Sequence, residues 1–154
     1  MKVFLAIPYS QLCDSKEYKV KDKYMPFFIK LTSSLKRENI DYFLAHEREK
    51  WGKDFSSSEE STIIDFETIK SVDLICAIPG VPNSGGVHVE MGWASANHKK
   101  IKIFLKKDYN YSPMILGLHC LTDIDYYYYN VDYSEQLADL IVCEILKFKS
   151  EQGL

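Results

Sequence analysis

Glu90 stands four residues after Gly86 in the stretch DLICAIPGVPNSGGVHVEMGWASANHKK, which runs from Asp73 to Lys100. A carboxylate near the start of a helix is held ionised by the helix dipole, which suits a nucleophile better than an acid. The competing reading is a glutamate that merely complements that dipole. Ser84, Gly85 and Gly86 precede it. A hydroxyl and two close-approaching backbone N–H groups at a helix start make a pocket sized for one phosphate or carboxylate, or else an ordinary capping turn. No G-K-[ST] or G-x-G-x-x-G follows, so neither a triphosphate loop nor a dinucleotide fingerprint is present. His88 projects from the same helix start, toward a ligand or into a cap contact. His46 and Arg48 follow the second apolar run, within reach of the first loop. The chain has two arginines; Arg48 reads either as a contact to base or phosphate or as a surface ion pair with Glu47 or Glu49.

The elements that must carry these groups alternate along the chain. Lys2–Ile7 is an apolar run ended by Pro8, and Lys21–Glu38 places Tyr24, Phe27, Phe28, Leu31 and Leu35 on one helical stripe. Asp41–His46 is strand-like. Ser56, Ser57 and Ser58 with Glu59 and Glu60 supply caps for a helix to about Ser71, with Ile63, Ile64, Phe66 and Ile69 as its apolar positions. Asp73–Ile78 lacks polar alternation, as a strand covered on both faces does. Val87–Asn97 reads as a helix, Lys100–Leu105 as a strand, Ser112–Leu118 as a short helix, and Leu121–Tyr128 contains a fifth strand. Tyr133–Lys149 closes the chain as an amphipathic helix. The expectation is a single α/β domain over residues 1–154: a doubly wound, flavodoxin-like or Rossmann-like, five-stranded parallel sheet with helices on both faces, in the order 2-1-3-4-5. Ligands of such sheets bind where strand order reverses, here at the loops Pro8–Asp14 and Pro79–Gly86.

Composition narrows the field. With 19 basic and 22 acidic residues the net charge is −3, which gives no electrostatic hold on nucleic acid. The opening MKVFLAIPYS is too short for a secretory core and no later run approaches a membrane span, so a cytoplasmic protein without membrane partner is expected. Cys13, Cys76, Cys120 and Cys143 show no metal-ligand spacing and read as reduced thiols, Cys76 and Cys143 as small buried hydrophobes. No metal and no cofactor are expected. The lysines of Lys99–Lys107 read as solvated strand ends and edge protection. Trp51 reads as packing ahead of a ligand platform, Trp93 as packing on the sheet or across a subunit contact, and the four tyrosines Tyr126–Tyr129 as edge packing or a subunit surface.

The pattern S-x-G-x-x-x-E-x-G-x-A from Ser84 to Ala94, with Asp65 eight residues before Asp73, resembles the nucleoside 2-deoxyribosyltransferase superfamily. Ala77–Ser95 (AIPGVPNSGGVHVEMGWAS), Pro8–Leu12 (PYSQL) and Ala45–Gly52 (AHEREKWG) are similar to elements of the CMP and hydroxymethyl-CMP N-glycosidases of blasticidin S and mildiomycin biosynthesis. The likeness spans most of residues 1–105. It implies a hydrolase releasing the base from a pyrimidine nucleoside 5′-monophosphate, CMP or a 5-substituted CMP, as free base and (deoxy)ribose 5-phosphate. A base-exchanging deoxyribosyltransferase and a nucleotide-sensing or defence module remain the other readings.

The resemblance also assigns roles. Glu90 takes that of the nucleophile at C1′, and Asp65 that of the carboxylate that positions sugar hydroxyls or relays a proton to the leaving base. Ser84, Gly85 and Gly86 become the 5′-phosphate cradle, Tyr9 a ring to stack on the pyrimidine, and His46, Arg48 and His88 neighbours of the substrate. Ser10 stands where the hydroxymethyl-CMP enzyme has an arginine, and Glu47 where relatives have a basic residue. The relatives further imply a homodimer or higher homo-oligomer, with Ser112–Leu118 reaching a neighbour's pocket.

Overall fold

A computed structural model describes residues 1–153. Its strands β1 (Lys2–Ala6), β2 (Asp41–Phe43), β3 (Leu74–Ala77), β4 (Lys100–Lys106) and β5 (Ile124–Tyr129) form one all-parallel sheet in the order β2-β1-β3-β4-β5. The helices are α1 (Met25–Arg37), α2 (Ala45–Arg48), α3 (Ser58–Ser71), α4 (Gly85–Ala96), α5 (Pro113–Leu116) and α6 (Glu135–Glu151). The doubly wound α/β architecture and its strand order are those expected from the alternation of apolar runs and helical stripes.

Alternate residues of a strand point to opposite faces, and both faces of this sheet are buried. Val3, Leu5, Leu74, Cys76 and Phe104 lie under α1 and α6, against Phe28, Leu31, Ile141 and Ile145. Phe4, Ala6, Ile75, Ile101 and Ile103 lie under the other layer, against Ile69 of α3 and Val87, Met91 and Ala94 of α4. That double burial is why β3 shows no polar alternation.

Several elements depart from the sequence expectation. Helix α1 begins only at Met25, after a single tight turn at Asp22–Tyr24; Pro26 sits at its start, where a missing N–H costs no helical bond. Strand β2 pairs with β1 over three residues and then ends, so His46 lies on the short helix α2 and not at the end of a strand; Arg48 closes the same helix. Helix α4 starts at Gly85, not Val87, which puts both glycines in its first turn. On α3, Ser57 and Glu60 form a reciprocal capping box as the serine run suggested. Of its apolar positions, however, Ile69 is buried while Ile63 and Ile64 are exposed. The helix packs chiefly on α4, where Phe66 meets Trp93 edge-on at 5.4 Å.

Lys102 is not a solvated edge residue: β4 is an inner strand, and this side chain is 3% exposed. Its ammonium donates to Tyr127 Oη at 2.9 Å and meets Glu144 at 3.4 Å and Asp125 at 3.3 Å. Such partners are what a charge under a sheet requires. Cys143 is likewise exposed rather than buried, because it falls on the outer side of α6; Cys13 and Cys76 are the buried thiols. Among the described residues no helix is long and apolar enough to cross a membrane.

Candidate active site

Strand order reverses between β1 and β3, and chain segments leaving β1, β2 and β3 converge there. They enclose a cavity of about 320 Å³, at the small end of the range for ligand pockets. The turn after β1 contributes Tyr9 and Ser10, α2 contributes Arg48 with Glu49 beside it, the next loop Phe55 and Ser56, α3 Ser61 and Asp65, and the start of α4 Ser84, Gly86 and Glu90. A second hollow of about 270 Å³ adjoins it and shares Ser61, Asp65, Gly86 and Glu90, with Gly85 and Trp93 on its far wall.

The turns after β1 and β3 are locked together. Gly80 has φ +90°, and a Cβ there would come within 2.9 Å of both Gln11 Oε1 and Pro8 Cγ, so no other residue fits without movement. Gln11 Nε2 adds a hydrogen bond to the Pro82 carbonyl at 2.6 Å. Gly85 and Gly86 differ from Gly80. Nothing lies within 4 Å of a Cβ built at Gly85, and only Ser84 Oγ at 3.9 Å meets one at Gly86. The space before the helix start is open to a ligand. Ser84 caps α4, its Oγ accepting the Val87 N–H at a long 3.5 Å. His88 is not on the cavity wall. Its Nδ1 donates to the Ser84 carbonyl at 2.6 Å, so the cap contact describes it.

Glu90 is the sixth residue of α4, and helical side chains lean toward the N-terminus. The residue as a whole is partly exposed, but Oε2 is shut off from solvent and has no hydrogen-bond partner. Burial, and then the nearby Asp65 charge, push its pKa up to about 8, with Arg48 opposing. This reverses the sequence expectation of an ionised carboxylate: with its pKa near 8, Glu90 is protonated at neutral pH. The dipole benefit fades beyond the first turn and is worth at most about 2 kcal/mol, less than the cost of burying a charge.

Arg48 joins the acidic groups. Its Nη1 donates to Asp65 Oδ1 at 2.5 Å, its Nε to Glu49 Oε1 at 2.7 Å, and its guanidinium lies 5.6 Å from the Phe43 ring centre. The ion pair expected with Glu47 or Glu49 is therefore with Glu49, inside the cavity; Glu47 turns away to Lys36 and Tyr42. Burial still leaves Asp65 above the ordinary carboxylate range despite Arg48. Asp73 plays no part here, since its carboxylate accepts the Lys2 N–H at the opposite end of the sheet.

Tyr9 stacks on His46 at 4.6 Å and meets Phe55 edge-on at 6.0 Å. Its buried Oη has no partner. His46 is fully buried between Tyr9 and Phe28 and does not reach the cavity, so it supports the Tyr9 ring from behind instead of touching a ligand. The cause is α2, which turns the residue inward. Burial lowers its pKa to about 3, the Pro8 carbonyl opposing weakly. Trp51 packs edge-on against Phe28 at 5.3 Å. Glu49, Phe55 and Ser61 were not anticipated as lining residues. Glu49 lay within the AHEREKWG motif, whereas Phe55 and Ser61 carried no sequence signal. Among the described residues no group of three or more His, Cys, Asp or Glu side chains is arranged to hold a metal ion.

Glu90 and His46 together set a pH profile of stability. Between pH 4.5 and 6.5 the folded chain holds an extra proton on Glu90, the unfolded chain one on His46, and the slopes cancel. Below 4.5 the unfolded histidine's proton dominates and stability falls as pH falls toward 3. Above 6.5 the folded chain retains the Glu90 proton that the unfolded chain has lost, so stability falls as pH rises toward 8. Urea melts across this range are expected to show that plateau, with the alkaline limb absent in Glu90→Gln. An unchanged alkaline limb in that variant would contradict the assignment.

Fold and site define a doubly wound α/β protein with a part-buried carboxylate pair at its switch point. No protein-family model matches the chain, and no curated protein matches its sequence. Solved structures do. The Clostridium botulinum CMP N-glycosidase BcmB is 32% identical, covering 91% of this chain and 98% of that one, with a TM-score of 0.62. BlsM, known from a solution structure, is 30% identical over 99% of this chain and 94% of its own, with a TM-score of 0.76. A conserved protein from Enterococcus faecalis V583, 17% identical over 93% and 98% with a TM-score of 0.59, shares the fold. The chain belongs to the nucleoside 2-deoxyribosyltransferase-like family of nucleotide N-glycosidases that includes BcmB.

Proposed function

We propose that this protein hydrolyses the N-glycosidic bond of a pyrimidine nucleoside 5′-monophosphate, CMP or a 5-substituted CMP, releasing the free base and (deoxy)ribose 5-phosphate. The observation that carries this reading is Glu90: a buried, unpartnered carboxyl oxygen beside Asp65 at a nucleotide-sized cavity. Cleavage builds oxocarbenium character at C1′ and negative charge on the departing base. Glu90 attacks C1′ as the C1′–N bond breaks, forming a glycosyl ester. The proton that the Glu90–Asp65 pair holds at rest passes through Asp65 to the base, which balances the step. Water then cleaves the ester and returns the proton to the pair.

Tyr9 and Phe55 supply aromatic surface for the pyrimidine, and Ser84 with the Gly85 and Gly86 amides takes the phosphate at the start of α4. On this reading the enzyme works in the cytoplasm on a small nucleotide, as a homodimer or higher homo-oligomer. The exposed Ile63, Ile64 and Val89 on α3 and α4 are apolar surface that such an assembly would cover. The test is a panel of common ribo- and deoxyribonucleoside monophosphates, scored by chromatography for free base. Cytosine from CMP is the expected dominant product, and failure to release base from any member overturns the proposal.

A further inference from the structure

Glu49 is the least expected of the cavity's acidic groups. Its side chain is 5% exposed, yet it borders the cavity. Oε1 accepts Arg48 Nε–H at 2.7 Å and Oε2 accepts the Ser56 N–H at 2.8 Å. Two donors thus clamp the carboxylate in one orientation, and a carboxylate offers hydrogen-bond acceptors only. Each oxygen has room for one more hydrogen bond, and among the described residues no further donor reaches either. Arg48 keeps unused N–H groups after bonding Glu49 and Asp65. An acceptor and a donor therefore stand side by side on the wall of the cavity that Tyr9 also lines.

That pair is complementary to the edge of cytosine, whose 4-amino group donates and whose ring N3 accepts. Uracil and thymine present the reverse order at the same two atoms, and in the same pose O4 would face the carboxylate lone pairs. We infer that Glu49, with Arg48, selects a 4-aminopyrimidine over a 4-oxopyrimidine. The inference rests on the glycosidase reading above and names the base that its cavity takes. Sites built to pair with a polar substrate group reject analogues that cannot pair by up to about 10⁴–10⁵-fold.

The experiment compares kcat/KM for CMP and UMP in the wild-type protein and in Glu49→Gln, whose amide keeps the shape but can donate to O4. The wild type is expected to prefer CMP by at least about 100-fold. In Glu49→Gln that ratio is expected to fall by about tenfold or more, with UMP turnover rising. A wild-type ratio near one overturns the inference. So does a variant in which both rates drop with the ratio unchanged, since that marks a purely structural clamp. Should the wild type release no base, the glycosidase reading fails by itself. Equilibrium dialysis of CMP and UMP on the same two proteins then decides on Glu49: a lost CMP preference supports its role, and an unchanged ratio or no binding overturns it.

Discussion

Glu90→Gln is expected to lower base release from CMP by at least about 10⁴-fold, the scale on which loss of a catalytic nucleophile acts. An amide cannot form the glycosyl ester, and what survives is the orientation the cavity supplies. The substitution is otherwise gentle. Glutamine has the shape of the protonated glutamate that fills the site at neutral pH, so no buried charge loses a partner and the fold is expected to persist at pH 7. The wild-type profile carries a linked signature. On the proposed mechanism reaction needs one proton on the Glu90–Asp65 pair, and Glu90 loses its proton at about 8, so kcat/KM is expected to decline about tenfold per pH unit above that point. Measured rates for Glu90→Gln within a few-fold of wild type would remove Glu90 from the chemistry, and a profile flat well above 8 would remove the shared proton.

CMP is expected to be cleaved at least about 10³-fold faster than cytidine in kcat/KM, because binding energy spent on a remote phosphate orients the sugar over the reacting carboxylate. The charge balance makes this a demanding prediction. Glu49, Asp65 and Glu90 share the cavity with Arg48, which is already bonded to two of them. A phosphate dianion has to sit away from that cluster, and the N-terminus of α4 is the electropositive place for it. Gly86→Ala supplies the control. The added methyl meets Ser84 Oγ at 3.9 Å and nothing closer, so the fold tolerates it, while it intrudes on the space assigned to the phosphate. The variant is expected to keep its stability and lose most of the preference for CMP. Equal rates on cytidine and CMP in the wild-type protein would dispose of the phosphate cradle.

The residues legible from sequence alone are those whose burial repeats with a period. Leu74–Ala77 announced an inner strand because both of its faces are covered, and the alternation of elements then fixed where the chain reverses and which loops matter. Helix α2 escaped because four residues are too few to show a helical period, and with it went the true position of His46. Glu90 was visible as a residue but not as a charge state. Its protonation depends on Asp65, Arg48 and burial, and side chains brought together from separate elements leave no local mark. Lys102 failed for the same reason: its partners Glu144 and Tyr127 come from α6 and β5. Glu49 sat inside a motif whose pattern did not say that its carboxylate would border the cavity.

The clasp at Gly80 has a consequence for how ligands are sorted. With Pro8 and Gln11 pressed on that glycine and Gln11 tied to Pro82, the turn bearing Tyr9 and the turn leading into Ser84 behave as one stiff bracket. The span from the aromatic shelf to the helix mouth is then a gauge of constant length. On the proposed function, a nucleotide would be measured against that gauge in a single gesture, ring at one jaw and anion at the other.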